Sequence, residues 1–463
     1  MPTERRLTLL GRRWPALAGA MVLGVLLVAG ALPASGTTPT YTADGPPDGS
    51  APSPEPGRPW FGPGLDWTRD LPADYAERLG EAPSLYAQRV HYPLTADDRG
   101  YLDDFARQAA TQGAVAVLTL EPQVALPALT SRDAEVLAEE LADLHHHYDA
   151  HFLVRFAPEM NGSWVIWGQQ PDRYVAAFRT VADAVHGATD HAEMVWSPAY
   201  GAGYPFGRAY GAVDSAGARV AEVLDTDGNG SVDDGDDPYA PYFPGDRWVD
   251  WVGLSLYHYG ARQDFGDNTA PAPGELEARL DERFGYGVAR RREPFLGRFA
   301  SPDRPMLVET SALWNTAYEG GDSQRDLKRS WWRQVLDSTA THPAIGAISW
   351  LELTRPEAEI DGEVADWRAT HTPGLARALR GDLAASDVVL GPVTEVVDPS
   401  TGAGAGSGSS ASAAVADGSA AEGAAEGAEA SGNTADWVPL ALALLAVGYL
   451  LYRLLTRRRS SQA

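Results

Sequence analysis

The sequence predicts an α/β fold, a (β/α)8 TIM barrel, on three observations. Eight short apolar runs lie between residues 58 and 385, at 60–66, 84–91, 114–120, 151–156, 192–197, 248–257, 305–309 and 345–351. Segments with helical spacing of apolar residues separate them; 131–148 and 171–185 are examples, the second opening on Pro171 in its first turn. Polar and aromatic residues gather where the runs end. Strands alternating with helices imply a parallel sheet with crossover connections. A doubly wound sheet can be drawn from the same alternation. Eight repeats with chemistry at the strand ends favour the barrel, whose reactive groups sit at the C-terminal ends of its strands.

The 463 residues suffice for one barrel of roughly 250–350 residues and its tethers. A net charge of −26 excludes a nucleic-acid partner, because a phosphate backbone needs a basic footprint. Lys328 is the only lysine, and cysteine is absent, which removes disulfides and thiolate chemistry. A monomer is expected.

Both ends of the chain predict export and anchoring. Residues 1–36 carry a basic start, an apolar run and a small-residue exit, the pattern of a signal peptide; an uncleaved signal anchor is the alternative. Residues 37–57 read as a Pro/Gly/Ser/Thr linker, 58–385 as the barrel and 386–435 as a low-complexity stalk. Residues 436–456 are apolar over about the ~20 residues a bilayer needs, which predicts a C-terminal transmembrane helix. The tail 457–463 opens with Arg457, Arg458 and Arg459, which favour the cytoplasmic side and place the barrel outside the cytoplasm, on the cell membrane.

The chemistry lies at two strand ends. RFAPEMNGSWVIWG, 155–168, puts Glu159 after the fourth run, followed by Asn161, Gly162, Trp164 and Trp167. Tryptophan faces suit the apolar faces of sugar rings, and carboxylates and amides address hydroxyls. PMLVETSALW, 305–314, brings the seventh run to Glu309. Strands four and seven lie on opposing sides of an eight-strand barrel, so the two glutamates can face each other. A retaining glycosidase needs two carboxyls ~5–5.5 Å apart, one to protonate the leaving oxygen and one to attack the anomeric carbon. Asp66 and Trp67 after the first run are read as lining a distal subsite, and Glu121 after the third as a rim residue.

The segment 155–168 resembles the acid/base motif of glycoside hydrolase family 26, the β-mannanase family of the 4/7 barrel clan, typically R-x-x-H-E-M-N-G-x-W. Arg155, Glu159, Met160, Asn161, Gly162 and Trp164 match. The resemblance implies acid/base for Glu159 and nucleophile for Glu309. VDWVGLSLYHYG, 249–260, looks like the family's sixth strand, where Tyr257 would hydrogen-bond the nucleophile. ISW places Trp350 at the eighth strand end, where the clan often keeps a sugar-stacking tryptophan. Substrate binding is expected of Arg155, Asn161, Trp164, Trp167, Tyr257 and Trp350. Pro158 departs from the pattern: the mannanases carry a His there, and Pro cannot donate a hydrogen bond. The expected activity is therefore a retaining β-glycosidase on a β-linked polysaccharide such as a mannan or glucan. The alternative is a cell-surface polysaccharide-binding or assembly protein on a catalytically weak barrel.

DTDGNGSVDDGD, 225–236, spaces Asp225, Asp227, Asn229, Asp233 and Asp236 as positions 1, 3, 5, 9 and 12 of an EF-hand loop, with Gly230 at position 6 and Asp in place of Glu at 12. It predicts a structural Ca2+ near the cleft. His145, His146 and His147 cannot all share one helix face and are read as surface or partly buried residues, not a metal site.

Overall fold

The computed structural model describes residues 51–206, 218–261, 265–285 and 293–396. The expected signal peptide, most of the stalk, the apolar segment 436–456 and the tail lie outside them. Among the described residues no helix is long and apolar enough to cross a membrane.

Eight strands close into one barrel: β1 (Trp60–Leu65), β2 (Leu85–Tyr92), β3 (Val115–Pro122), β4 (Phe152–Phe156), β5 (Ala192–Trp196), β6 (Trp251–His258), β7 (Met306–Ala312) and β8 (Ile345–Glu352). Each pairs in parallel with the next, and β8 closes on β1. The strands are nearly continuous apolar runs because both faces are covered, by the barrel interior and by surrounding helices. Those helices include α1 (Pro72–Leu79), α2 (Ala96–Ala110), α3 (Ser131–Tyr148) and α4 (Pro171–Ala188); α5 (Ala218–Leu224), α6 (Glu275–Leu280) and α7 (Phe295–Phe299) are short, and α8 (Gln324–Ser338) and α9 (Pro373–Leu383) complete the set. Thr95 with Asp98 and Thr130 with Asp133 form reciprocal capping boxes that start α2 and α3, each cap worth about 1 kcal/mol.

Side-chain parity positions the site. One core cluster draws on every strand: Trp60, Leu85, Ala87, Val115, Val117, Leu153, Val195, Trp251, Leu307 and Ala347. It is the apolar plug of the barrel interior. Successive side chains on a strand alternate between faces, so two residues onward the same inward rows carry Arg89, Thr119, Arg155, Ser197, Glu309 and Ser349. The interior therefore changes from apolar to polar toward the C-terminal mouth. On β6 the inward Gly253 makes room for this layer: a Cβ there would lie 2.6 Å from the Ser197 Oγ.

Two features depart from the sequence reading. A three-stranded antiparallel sheet, Trp314–Asn315, Thr354–Pro356 and Val364–Asp366, is built from the segments that follow β7 and β8. Residues 389–394, which fall within the expected stalk, bind the barrel's N-terminal end. Val389 N–H donates to Pro59 O (2.8 Å), Gly391 to Ala82 O (2.7 Å) and Val393 to Gly113 O (2.8 Å), while Val389 and Val393 pack on the apolar plug.

Lys328 is fully buried on α8 and donates to the carbonyls of Asp366 (2.7 Å) and Ala312 (3.3 Å). The only lysine thus ties α8 to the end of β7 and to the small sheet.

Candidate active site

Glu309 stands on β7 and is only 7% exposed. Its Oε2 accepts from the Arg155 Nη1 of β4, and its Oε1 accepts from the Tyr257 hydroxyl of β6 and from Arg89 Nη2 of β2 (3.2 Å). Arg155 is itself fixed by the Oγ atoms of Ser197 (2.9 Å) and Ser255 (2.8 Å). Burial alone would raise the Glu309 pKa. Arg155, then Arg89, the Tyr257 hydroxyl and Arg355 outweigh it and hold the carboxyl at about 2. The group is an anion at neutral pH. Three of its roughly four acceptor positions are filled, which leaves one lone pair for a fourth partner.

Glu159 follows β4 in a constrained turn. Ala157 and Glu159 have φ of 45° and 58°, left-handed values on either side of Pro158, and strain of this kind gathers at functional sites. The Glu159 N–H donates to Ser197 O (2.8 Å). Trp167 Nε1 donates to Pro158 O (2.8 Å), and the Asn161 side chain bridges Ala199 through two bonds of 2.8 Å. Trp164 Nε1 donates to the Glu159 carboxylate at 2.8 Å. The indole lies over Gly162, where a Cβ would meet the ring at 2.5 Å; glycine at that position lets the tryptophan reach the carboxylate.

Glu159, Trp164 and Tyr257 line one cavity of about 570 Å3, within the usual range for small-ligand sites. Glu309 is nearly covered, but Arg89 and Tyr257, which hold it, are part of that lining. The Tyr257 hydroxyl is pushed well above its ordinary pKa by burial, then by Glu309 and Glu159 together.

The structure corrects several sequence expectations. Arg155 (1% exposed), Asn161 and Trp167 are buried and brace the turn and the nucleophile candidate instead of facing ligand. Trp350 is fully buried, bonded through Nε1 to Trp367 O (3.1 Å) and packed edge-on to Trp332 of α8. Its neighbour Ser349, opposite Glu309 in the register, takes the inward position, so parity turns Trp350 toward the helices. Trp67 is likewise buried, against Phe105. Of the residues expected to bind substrate, Trp164 and Tyr257 face the cavity.

Other lining residues escaped the sequence reading. Arg89 on β2 bridges Glu309 and Glu121, the latter at 2.6 Å; its signal is the two-residue step from the inward Ala87. Arg355, Glu357 and Glu359 arrive with the small sheet and the turn after it, and Tyr200, Tyr259 and Phe265 from loops after β5 and β6. None of these stands at the end of an apolar run.

The acidic loop 225–236 folds compactly. Asp225, Asp227 and Asp236 each offer a carboxylate oxygen within 4.8 Å of the others. Gly230, with φ of 90°, donates its N–H to Asp225 (2.8 Å). Asp236 is buried and accepts the N–H groups of Thr226 (2.6 Å), Asp227 (3.2 Å) and Asp233 (2.7 Å). No arginine pairs with these three aspartates among the described residues. A cation fits where like charges crowd without a basic partner. Asn229 and Asp233 border the cluster, with Asn229 Nδ2 3.2 Å from Asp233; its amide would have to turn its oxygen inward to ligate. The chain leaving the loop reaches Tyr239, whose hydroxyl accepts from Gly201 N–H (2.8 Å) and donates to Glu282 (2.8 Å). It thus abuts the segment that carries Tyr200 into the cavity.

No family model and no curated protein matches the sequence. Solved structures to which the chain is similar include a Cellulomonas fimi endo-β-1,4-mannanase double mutant, at TM-score 0.45 and 15% identity over 73% of each chain. They also include a GH26 β-mannanase from Bacteroides ovatus, at TM-score 0.41 and 12% identity over 72% of this chain and 88% of that one. A third is the GH26 domain of a Prevotella bryantii endo-β-mannanase/endo-β-glucanase, at TM-score 0.41 and 12% identity over 73% and 91%. The chain is similar to GH26 mannanases at low identity.

Proposed function

We propose that this chain is a retaining β-glycosidase acting on a β-linked polysaccharide, with Glu309 as nucleophile and Glu159 as acid/base. One observation carries the reading: an anionic carboxylate is held by Arg155, Tyr257 and Arg89, and two of those holders, Tyr257 and Arg89, line the same cavity as a second carboxylate under an exposed indole. In the first step Glu309 attacks the anomeric carbon while Glu159 gives its proton to the leaving oxygen. In the second, Glu159 takes a proton from water, which displaces Glu309. Arg155 and Tyr257 keep the attacking oxygen aimed, and Trp164 supplies a face for a sugar ring and a donor that orients Glu159. A screen of β-mannans, β-glucans and related polymers tests this: release of reducing ends supports it. Binding without release would instead support the polysaccharide-binding reading, which the proline at 158 favours.

The polymer-cleaving barrel is further proposed to sit outside the cytoplasm, held by residues 436–456. Truncation before Trp437 should then release soluble enzyme of undiminished activity. Retention of the truncated chain in the membrane fraction would place the anchor at the N-terminal apolar run instead.

The loop 225–236 is proposed to hold a structural Ca2+ through Asp225, Asp227 and Asp236, with Asn229 and Asp233 beside them. The crowded carboxylates support this, because a bound cation offsets their mutual repulsion. EGTA should lower the Tm, by an amount that grows with the free calcium withdrawn, and Asp225→Ala with Asp227→Ala should abolish that response. An unchanged Tm on chelation would remove calcium from the account.

A further inference from the structure

A second cluster of ligand-type side chains lies at the other end of the barrel, away from the mouth. His145 is in the last turn of α3, Asp149 caps that helix with a φ of 53°, and His151 and His191 immediately precede β4 and β5. One ligand nitrogen from each of the three histidines lies within 4.8 Å of the others. The rings of His145 and His191 are stacked at 3.4 Å, and His151 stands edge-on to both, at 5.2 and 5.1 Å. Asp149 Oδ1 is 3.8 Å from His145 Nε2 and 4.0 Å from His151 Nε2.

The hydrogen bonding leaves this cluster short of partners. His145 Nδ1 is 3.0 Å from Ala150 O, which fixes the proton on Nδ1 and leaves Nε2 with a free lone pair. The Nδ1 atoms of His151 and His191 are buried with no hydrogen-bond partner among the described residues, a state proteins avoid because the desolvated group receives nothing in return. On a tetrahedral zinc with bonds of ~2.0–2.1 Å, ligand nitrogens are roughly 3.3 Å apart. The cluster reaches that spacing by splaying the stacked rings.

We propose that His145, His151 and His191, with Asp149 as fourth ligand, bind a divalent transition-metal ion of the zinc class. Three imidazoles and one carboxylate form a nitrogen-rich set suited to zinc or cobalt and unsuited to calcium. The ion would staple the end of α3 to the starts of β4 and β5, and so steady the strand that carries Arg155. The sequence hides the set because His145 stands beside His146 and His147 on one helix, whereas its partners arrive from two strands.

The test uses the full chain, purified in detergent, stripped with a chelator and returned to excess Ca2+ so that the acidic loop is filled. Titration with Co2+ should give one equivalent with the visible absorption of a four-coordinate site, displaced by Zn2+, and Zn2+ should raise the Tm. His191→Gln, at a half-buried position, should weaken Zn2+ binding at least tenfold, while the control His146→Gln should leave it unchanged. Diethyl pyrocarbonate footprinting of the unaltered chain gives a reading independent of any variant: Zn2+ should protect His145, His151 and His191 but not His146. Folded protein that takes up no stoichiometric Co2+ or Zn2+ overturns the proposal, as does Zn2+ binding that protects none of the three histidines.

Discussion

Glu309→Gln should reduce turnover on the polymer by about 10^4-fold or more, the scale of loss when a covalent nucleophile is removed, with little change in fold. Gln fills the same volume and can still accept from Tyr257, but it can neither attack the anomeric carbon nor leave as an anion. Glu159→Gln should cost a similar factor on the polymer and far less on substrates whose leaving group needs no proton. Azide should partly restore that variant by taking the place of the water that Glu159 activates. Steady-state rates on both substrate types check the pair of assignments. Near-normal hydrolysis by either variant would remove that residue from its role.

Arg155→Met should have the largest effect on stability. The substitution leaves Glu309, a buried carboxylate, without its main counter-charge, and breaking one side of a buried ion pair costs about 3–5 kcal/mol. For a barrel of this size, at roughly 0.7 kcal/mol per degree, that corresponds to a Tm fall of about 4–7 °C. The pH dependence gives the sign. The folded pKa of Glu309, about 2, lies below its ordinary value of 4.5, so its ionisation stabilises the fold above the ordinary value, and this contribution is lost as pH falls through about 2. In the variant the carboxyl pKa rises. The deficit relative to the unaltered protein should therefore be widest at neutral pH and narrow as the pH falls through the variant's raised pKa toward about 2. Calorimetric Tm against pH measures both curves. A deficit that is absent at pH 7, or constant with pH, would mean that Arg155 does not hold Glu309.

What the sequence revealed follows from what each element must bury. Strands covered on both faces leave short apolar runs, so all eight barrel strands could be read. The same feature hides parity: in ISWLE nothing distinguishes the inward residue from the outward one, and the sequence points Trp350 at the cleft although Ser349 takes the inward position. Glu309 was legible because a carboxylate interrupts an apolar strand. Arg155 was legible as a motif residue, but its task of holding Glu309 appears only when the inward rows of β4 and β7 meet. Strands of two or three residues, such as Thr354–Pro356, are too short for a periodic signal, so Arg355 and Glu357 went unread. The segment 389–394 looked like stalk because Gly391 and Pro392 punctuate it, yet Val389 and Val393 close the bottom of the barrel.

The assignment of Glu309 as nucleophile is tested most directly by trapping. Once the screen has identified a hydrolysed sugar, the matching 2-deoxy-2-fluoro glycoside with an activated leaving group should inactivate the enzyme with a stoichiometry of one. Mass spectrometry of the digested protein should then place the fluorosugar on the peptide containing Glu309, and reactivation should follow as the ester hydrolyses. An adduct on a different carboxylate, or turnover that yields the inverted anomer with no adduct, would contradict the mechanism proposed for this barrel.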